Sequence, residues 1–214
     1  PDIPAYRSGL IVAETNIAQV KYRQGDNQEA FLHVQTALDQ AMALVNADAT
    51  VASSHALEVY VRVTAGQILR DLDDFSNAEL AFESSDEKCG QLVEIYPENG
   101  TYRRLHGEVK NGVGILYLLD LRIDEARLAF SSAIEDFDKA LKINPNDALS
   151  RNGRAWSLTY LGDAQFQLGL TSEAKLSYGR AIAERDALCV GKTGISEYHI
   201  ARAWLLLTCQ DVSL

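Results

Sequence analysis

Displaced by 48 residues, the chain falls onto itself. One column of small residues reads Ala18, Gly66, Gly114, Gly162. A second reads Ala30, Ala78, Ala126, Ala174, and two residues on come Leu32, Leu80, Leu128, Leu176. A bulky column reads Val34, Phe82, Phe130, Tyr178, and a third small column Ala37, Ser85, Ala133, Ala181. So many matches at one offset confine the chain to stacked supersecondary units, each burying its apolar face against a neighbour. In the second half of each unit the small residues recur at i and i+7, with the bulky one at i+4. They share one helical face.

The best copy runs from Ala155 to Leu188. There Leu161-Gly162 is followed by Ala174, Tyr178 and Ala181, with Gly169 at a turn. The small residues let two helices approach, and the bulky one fills the space beside them. This spacing resembles the tetratricopeptide (TPR) helical hairpin. The step exceeds the usual period of about 34 residues, and the excess reads as helix. Apolar positions continue through Ile134, Phe137, Leu141 and Ile143 before Asn144-Pro145-Asn146. They also continue through Cys89, Leu92, Val93 and Ile95 before Pro97-Glu98-Asn99. Proline stops the helix at the same column both times. Each helix is thus lengthened by about two turns, or roughly 10 Å.

The expected units are 7–54, 55–102, 103–150 and 151–198. First helices are expected at 5–24, 53–71, 101–120 and 149–168, second helices at 27–46, 75–95, 123–143 and 171–189. Loops fall at Gly25-Asp26, Asp73-Asp74, Arg122 and Gly169. Arg202-Ala203-Trp204 repeats Arg154-Ala155-Trp156, so 199–214 reads as a capping helix or the start of another unit. The expectation is one all-α, TPR-like solenoid domain over 1–214.

The 48-residue form is similar to long TPR-like repeats found beside kinase, caspase-like and other signalling domains in multidomain bacterial proteins. Pro97-Glu98-Asn99 followed by Tyr102, Arg103 and Leu105 carries that resemblance. It implies a right-handed superhelix whose first helices line a concave groove for a peptide or partner helix. It implies no chemistry of its own. The groove columns it points to are Val12, Thr15, Gln19 and Tyr22, then Tyr60, Val63, Gln67 and Arg70. Next come Glu108, Asn111, Ile115 and Leu118, then Trp156, Thr159, Asp163 and Phe166 with Tyr160 nearby. Trp204 and Leu207 extend the strip, although Trp156 and Trp204 also suit a core between units. The carboxylate clamp of chaperone-tail binders is absent: its columns hold Thr15, Gln19, Thr64, Glu108 and Gly112.

Composition narrows the partners. The 214 residues carry a formal charge of −10, which opposes a nucleic-acid backbone partner. No apolar run approaches the roughly 20 residues that span a bilayer. The opening PDIPAYRSGL has neither the basic nor the apolar part of a signal peptide, and Pro1 to Pro4 read as the end of a linker. Cys89, Cys189 and Cys209 form no paired framework and read as reduced thiols of a cytoplasmic protein. No cofactor or metal is expected. His33, His55, His106 and His199 make no HExxH, there is no GxSxG, and Gly191-Lys192-Thr193 has Asp186 where a phosphate loop needs glycine.

Two charge patterns remain. Glu79, Glu83, Asp86 and Glu87 share a helical face, as a solvated surface or one for a basic partner. Arg7, His55, Arg103, Arg151 and His199 each open a first helix, where the dipole disfavours cations. Carboxylates of the preceding unit, such as Asp48, Glu94 or Asp147, are the expected partners, with a ligand-facing basic edge as the alternative. The chain is thus expected to be a non-catalytic scaffold for a protein or peptide. The alternative is a self-association module, pairing through Trp204, Leu205, Leu206 and Leu207.

Overall fold

The computed structural model describes residues 4–190, and among them there are eight α-helices and no strand. They are α1 (Pro4–Arg23), α2 (Asn27–Ala47), α3 (Ala52–Asp71), α4 (Phe75–Ile95), α5 (Gly100–Leu119), α6 (Ile123–Ile143), α7 (Ala148–Gln167) and α8 (Thr171–Val190). Every boundary lies within one residue of the expected one. The capping segment and the dimerising leucines expected at 199–214 lie outside the described residues. None of the described helices is long and apolar enough to cross a membrane.

The chain divides into two compact units between Pro97 and Glu98. In unit 1 each helix packs on the next, α1 to α4, and the first helices α1 and α3 also touch. Unit 2 repeats this with α5 to α8, α5 touching α7. Each unit is therefore a pair of antiparallel helical hairpins with the TPR-like arrangement.

The hairpin turns explain the regularity. A left-handed residue recurs every 48 positions: Gly25 (φ 81°), Asp73 (φ 61°), Leu121 (φ 58°) and Gly169 (φ 75°). Glycine adopts this conformation freely, and leucine does not. The turn then delivers an N-cap. Asp26 and Asp74 accept from the amides of Glu29 and Asn77, whereas Arg122 makes no side-chain cap. The proline turns work through Asn99 and Asp147, which cap α5 and α7.

Packing follows the columns. Ala30, Ala37, Ala78, Ser85, Ala126, Ala133, Ala174 and Ala181 are all buried. A Cβ on Gly66 would meet the Phe82 ring at 2.8 Å, on Gly114 the Phe130 ring at 2.6 Å, and on Gly162 the Tyr178 ring at 2.6 Å. The first hairpin has Val34 in the bulky place and carries alanine, Ala18, opposite it. Ring size and the missing methylene compensate each other within each hairpin.

The leucine column behaves differently. Leu32, Leu80, Leu128 and Leu176 are 62%, 61%, 59% and 71% exposed, so core packing does not explain their recurrence. Helix α1 also carries an open stripe, Tyr6, Leu10, Ile17 and Val20. The same places in α3 are Ser54, Glu58, Ala65 and Ile68, all buried; Ala65 and Ile68 pack with α2 residues Ala37, Ala41 and Leu44.

Candidate functional site

The expected groove residues lie on α1, α3, α5 and α7, and they sort by column. The column of Thr15, Val63, Asn111 and Thr159 turns inward. Thr15, Val63 and Thr159 are buried, so they do not belong to a ligand surface. The threonine hydroxyls donate back to their own helices, Thr15 to the Ile11 carbonyl at 2.7 Å and Thr159 to the Ala155 carbonyl at 2.9 Å. Asn111 uses its polarity across the helix pair. It donates to the Gly153 carbonyl at 3.4 Å and accepts from Ser157 Oγ at 2.7 Å.

In unit 1 the half-buried residues form a polar seam between α1 and α3. Gln19 Nε2 donates to Tyr60 Oη at 2.9 Å. Tyr22 Oη donates to Asp71 at 2.6 Å and accepts from Arg70 Nη2 at 3.3 Å, while Arg70 Nε reaches Asp71 at 2.7 Å. Burial and then the bond to Asp71 push the Tyr22 phenol up to about 12. The seam cross-links the helices; Gln67 and Val12 are left partly open beside it.

In unit 2 the surface is aromatic and acidic. Trp156 stacks on Tyr160 at 5.9 Å, and Tyr160 on Phe130 at 5.4 Å. Ile115 and Leu118 pack against the core. Asp163 accepts from Tyr178 Oη at 2.7 Å, yet burial raises its carboxyl above the ordinary 3.8. Burial also raises Glu108, against the opposing pull of Arg104. Phe166 is 41% exposed. The stack makes Trp156 an internal wall of unit 2 with one partly open side.

The cations at the starts of first helices find other partners than those expected. Arg103 reaches Asp136 at 3.4 Å and Arg151 reaches Glu184 at 3.2 Å, both on the second helix of the same hairpin. Asp147 is instead occupied as the α7 cap, and Asp48 accepts from Thr50. His55 faces the Ala49 carbonyl at 2.9 Å. The long second helix returns beside the start of the first and supplies these carboxylates, while the preceding turn offers backbone carbonyls: Arg151 Nη2 also donates to the Pro145 carbonyl at 3.0 Å.

A second column of cross-hairpin pairs escaped the sequence reading. Glu58 pairs with Lys88 at 2.9 Å, His106 with Asp136 at 2.9 Å, and Arg154 with Glu184 at 2.5 Å. The pairs stand 48 residues apart, and the signs are reversed in the first of them. Reading positions 58, 106 and 154 against 88, 136 and 184 as pairs would have revealed it. Glu79, Glu83 and Glu87 are exposed and Asp86 is half-buried. Among the described residues no cluster of His, Cys, Asp and Glu could hold a metal ion.

The sequence matches no protein-family model and no curated protein. The fold is similar to that of BtubC (BKLC) from P. vanneervenii, with a TM-score of 0.59 and 16% identity. That match covers 88% of this chain and 66% of the other, so the chain spans about two thirds of that structure's length. TTC0263, a TPR protein of Thermus thermophilus, aligns over 92% of this chain and 99% of its own, at a TM-score of 0.40 and 12% identity. The first of these is a likeness of fold.

Proposed function

We propose that the chain is a non-catalytic scaffold that holds a peptide or helix of a protein partner along its first helices. One observation supports this most. In each unit taken by itself a first helix keeps an amide or aromatic side chain accessible beside an internally satisfied polar seam: Gln67 of α3 in unit 1 is half-buried, and Phe166 of α7 in unit 2 is 41% exposed. Amides match the donors and acceptors of an extended backbone, and exposed aromatics supply anchoring area. The seams hold the helices in place, so the surface is preorganised and a ligand need not order it.

The test is selection of binding peptides from a random library on the intact protein, followed by titration of the selected peptides. Gln67→Ala and Phe166→Ala should each weaken binding, with Phe166→Ala losing tenfold or more at about 1.4 kcal/mol per decade. Circular dichroism should be unchanged in both. Full affinity in both variants would remove the first helices as the binding face.

A further inference from the structure

The hairpin turns of unit 2 carry leucine where those of unit 1 carry aspartate. Helices α5 and α7 touch and run the same way, so the turns at 120–122 and 168–170 lie at one end of the unit. Leu119 and Leu121 stand at the first turn, 55% and 79% exposed, and Leu170 is open at the second. Leu128 and Leu176 are exposed on α6 and α8, about 7.5 Å along each helix from that end. In the 48-residue register Leu119 and Leu121 take the places of Asp71 and Asp73, and Leu170 that of Asp26 and Asp74.

The hairpin itself does not call for these leucines. Leu121 has φ 58°, a backbone that strains leucine and that glycine adopts freely. Its side chain gains little burial in return. Strain kept at an exposed apolar tip points to a contact outside the chain. Further stacked hairpins would not supply that contact. Hairpins stack through helix faces, as α6 does on α7, whereas the turns lie at the helix ends.

The charged groups around the leucines are of both signs. Arg122 pairs with Glu125 at 3.2 Å and lies 4.1 Å from the centroid of the Tyr117 ring, and Arg127 pairs with Asp124 at 3.7 Å. Such an edge suits a copy of itself. Leucines meet leucines, and the arginines of one copy can face the carboxylates of the other. The same edge of unit 1 would set carboxylates against carboxylates. An anionic bilayer is opposed by the formal charge of −10. The five leucines expose roughly 500 Å² per copy, so two copies bury about 1,000 Å² of apolar surface, and the polar rim raises the total to the about 1,200 Å² of small specific interfaces. We propose that this leucine edge of unit 2 pairs with the same edge of a second copy about a two-fold axis. The pairing is independent of the scaffold reading. It is also distinct from the pairing expected through Trp204 to Leu207, which lie outside the described residues.

Sedimentation equilibrium of the full chain tests it. Between about 1 and 200 µM the protein should pass from monomer to dimer, half-associated on the order of 10 µM, and grow no further. The double variant Leu119→Asp, Leu121→Asp gives unit 2 the turn residues of unit 1. It should keep its helical content and dimerise at least about a hundredfold more weakly. Leu128→Glu, on the exposed face of α6, should weaken dimerisation at least about tenfold, and it decides the matter if the turn variant does not fold. Leu10→Glu, on the open stripe of α1, and Leu206→Glu should leave the dimer intact. A wild type that stays monomeric throughout, or that grows beyond the dimer, overturns the proposal. So does a dimer that survives both edge variants or is lost in Leu10→Glu or Leu206→Glu. A monomeric wild type that co-sediments with phosphatidylcholine vesicles, where the double variant does not, overturns it in favour of a bilayer surface.

Discussion

Unit 1 buries the charge of Glu58; unit 2 buries Asp136, which Arg103 and His106 reach in the same way, and also Arg185, which differs from both. In unit 1, Glu58 of α3 is 2% exposed and receives Lys88 at 2.9 Å and Arg62 at 2.8 Å. Burial alone would raise its carboxyl; the Lys88 and Arg62 bonds overcome this and hold it below the ordinary range. In unit 2, Arg185 is equally buried and has an aromatic ring, one long hydrogen bond and two unbonded nitrogens. The first group is a structural charge whose partners came with the fold. The second occupies a core column and meets no carboxylate among the described residues. Arginine in a column that elsewhere holds alanine, cysteine and phenylalanine is the exception to the core chemistry of the repeat.

The strongest way to break this comparison is to remove the compensated charge. Glu58→Ala should cost about 2–4 kcal/mol, because Lys88 and Arg62 lose their shared partner while remaining partly solvated. Urea denaturation measures it. A loss under about 0.5 kcal/mol would make the Glu58 cluster no more than a surface ion pair.

Overpacking comes next. Gly162→Leu in unit 2 should cost about 1–3 kcal/mol or more, since even a Cβ there meets the Tyr178 ring. It should also disturb Asp163, which Tyr178 holds. Unchanged thermal stability would misplace the helix crossing that defines the repeat.

Acidification should act on the two units with opposite sign. Glu58 is depressed in the folded state, so its stabilisation is fully present above its ordinary 4.5 and is lost as pH falls through the folded value. Asp163 and Glu108 are raised, so the folded state binds their protons more tightly. Their ionisation is a burden at neutral pH, relieved as pH falls through the raised values. Melting temperature against pH should therefore gain a component on mild acidification and lose another below about 4.5. Asp163→Asn should shrink the gain and leave the loss. A profile identical to that of the wild type would assign the gain elsewhere.

The smallest effect tests the turns. Leu121 holds a left-handed backbone where two equivalent turns use glycine, and it is 79% exposed, so no packing is lost with it. Leu121→Gly should stabilise unit 2 by about 0.5–1 kcal/mol, the relief of strain exceeding glycine's entropy. The same measurement on Asp73→Gly should show less, since aspartate tolerates this conformation better.

How much of this could be read from the residues depends on what repeats. Helix ends fell within one residue because most boundaries carry glycine, proline or a capping Asp or Asn, and the 48-residue register carries the rest over to Arg122 and Val51. The groove columns were less legible. Threonine is equally at home in solvent and in a buried helix face where its hydroxyl bonds its own carbonyl, so Thr15 and Thr159 gave no sign of their inward turn. Partners of Arg103 and Arg151 were sought in the preceding turn because sequence distance hides how far a long second helix returns. Leu32 and its three mates show that a perfect column does not by itself mark the core, since all four are exposed. Arg185 was overlooked because arginine reads as surface; only its alignment with Ala41, Cys89 and Phe137 signals that it is buried.

The most direct test of the contrast between Glu58 and Arg185 is one set of urea denaturation curves for wild type, Glu58→Ala and Arg185→Met. Glu58→Ala should lose stability, while Arg185→Met should match or exceed the wild type by up to about 3 kcal/mol, as an unpaired buried charge gives way to a side chain that packs. A loss in Arg185→Met comparable to that in Glu58→Ala would contradict the account, since Arg185 would then be as fully compensated as Glu58.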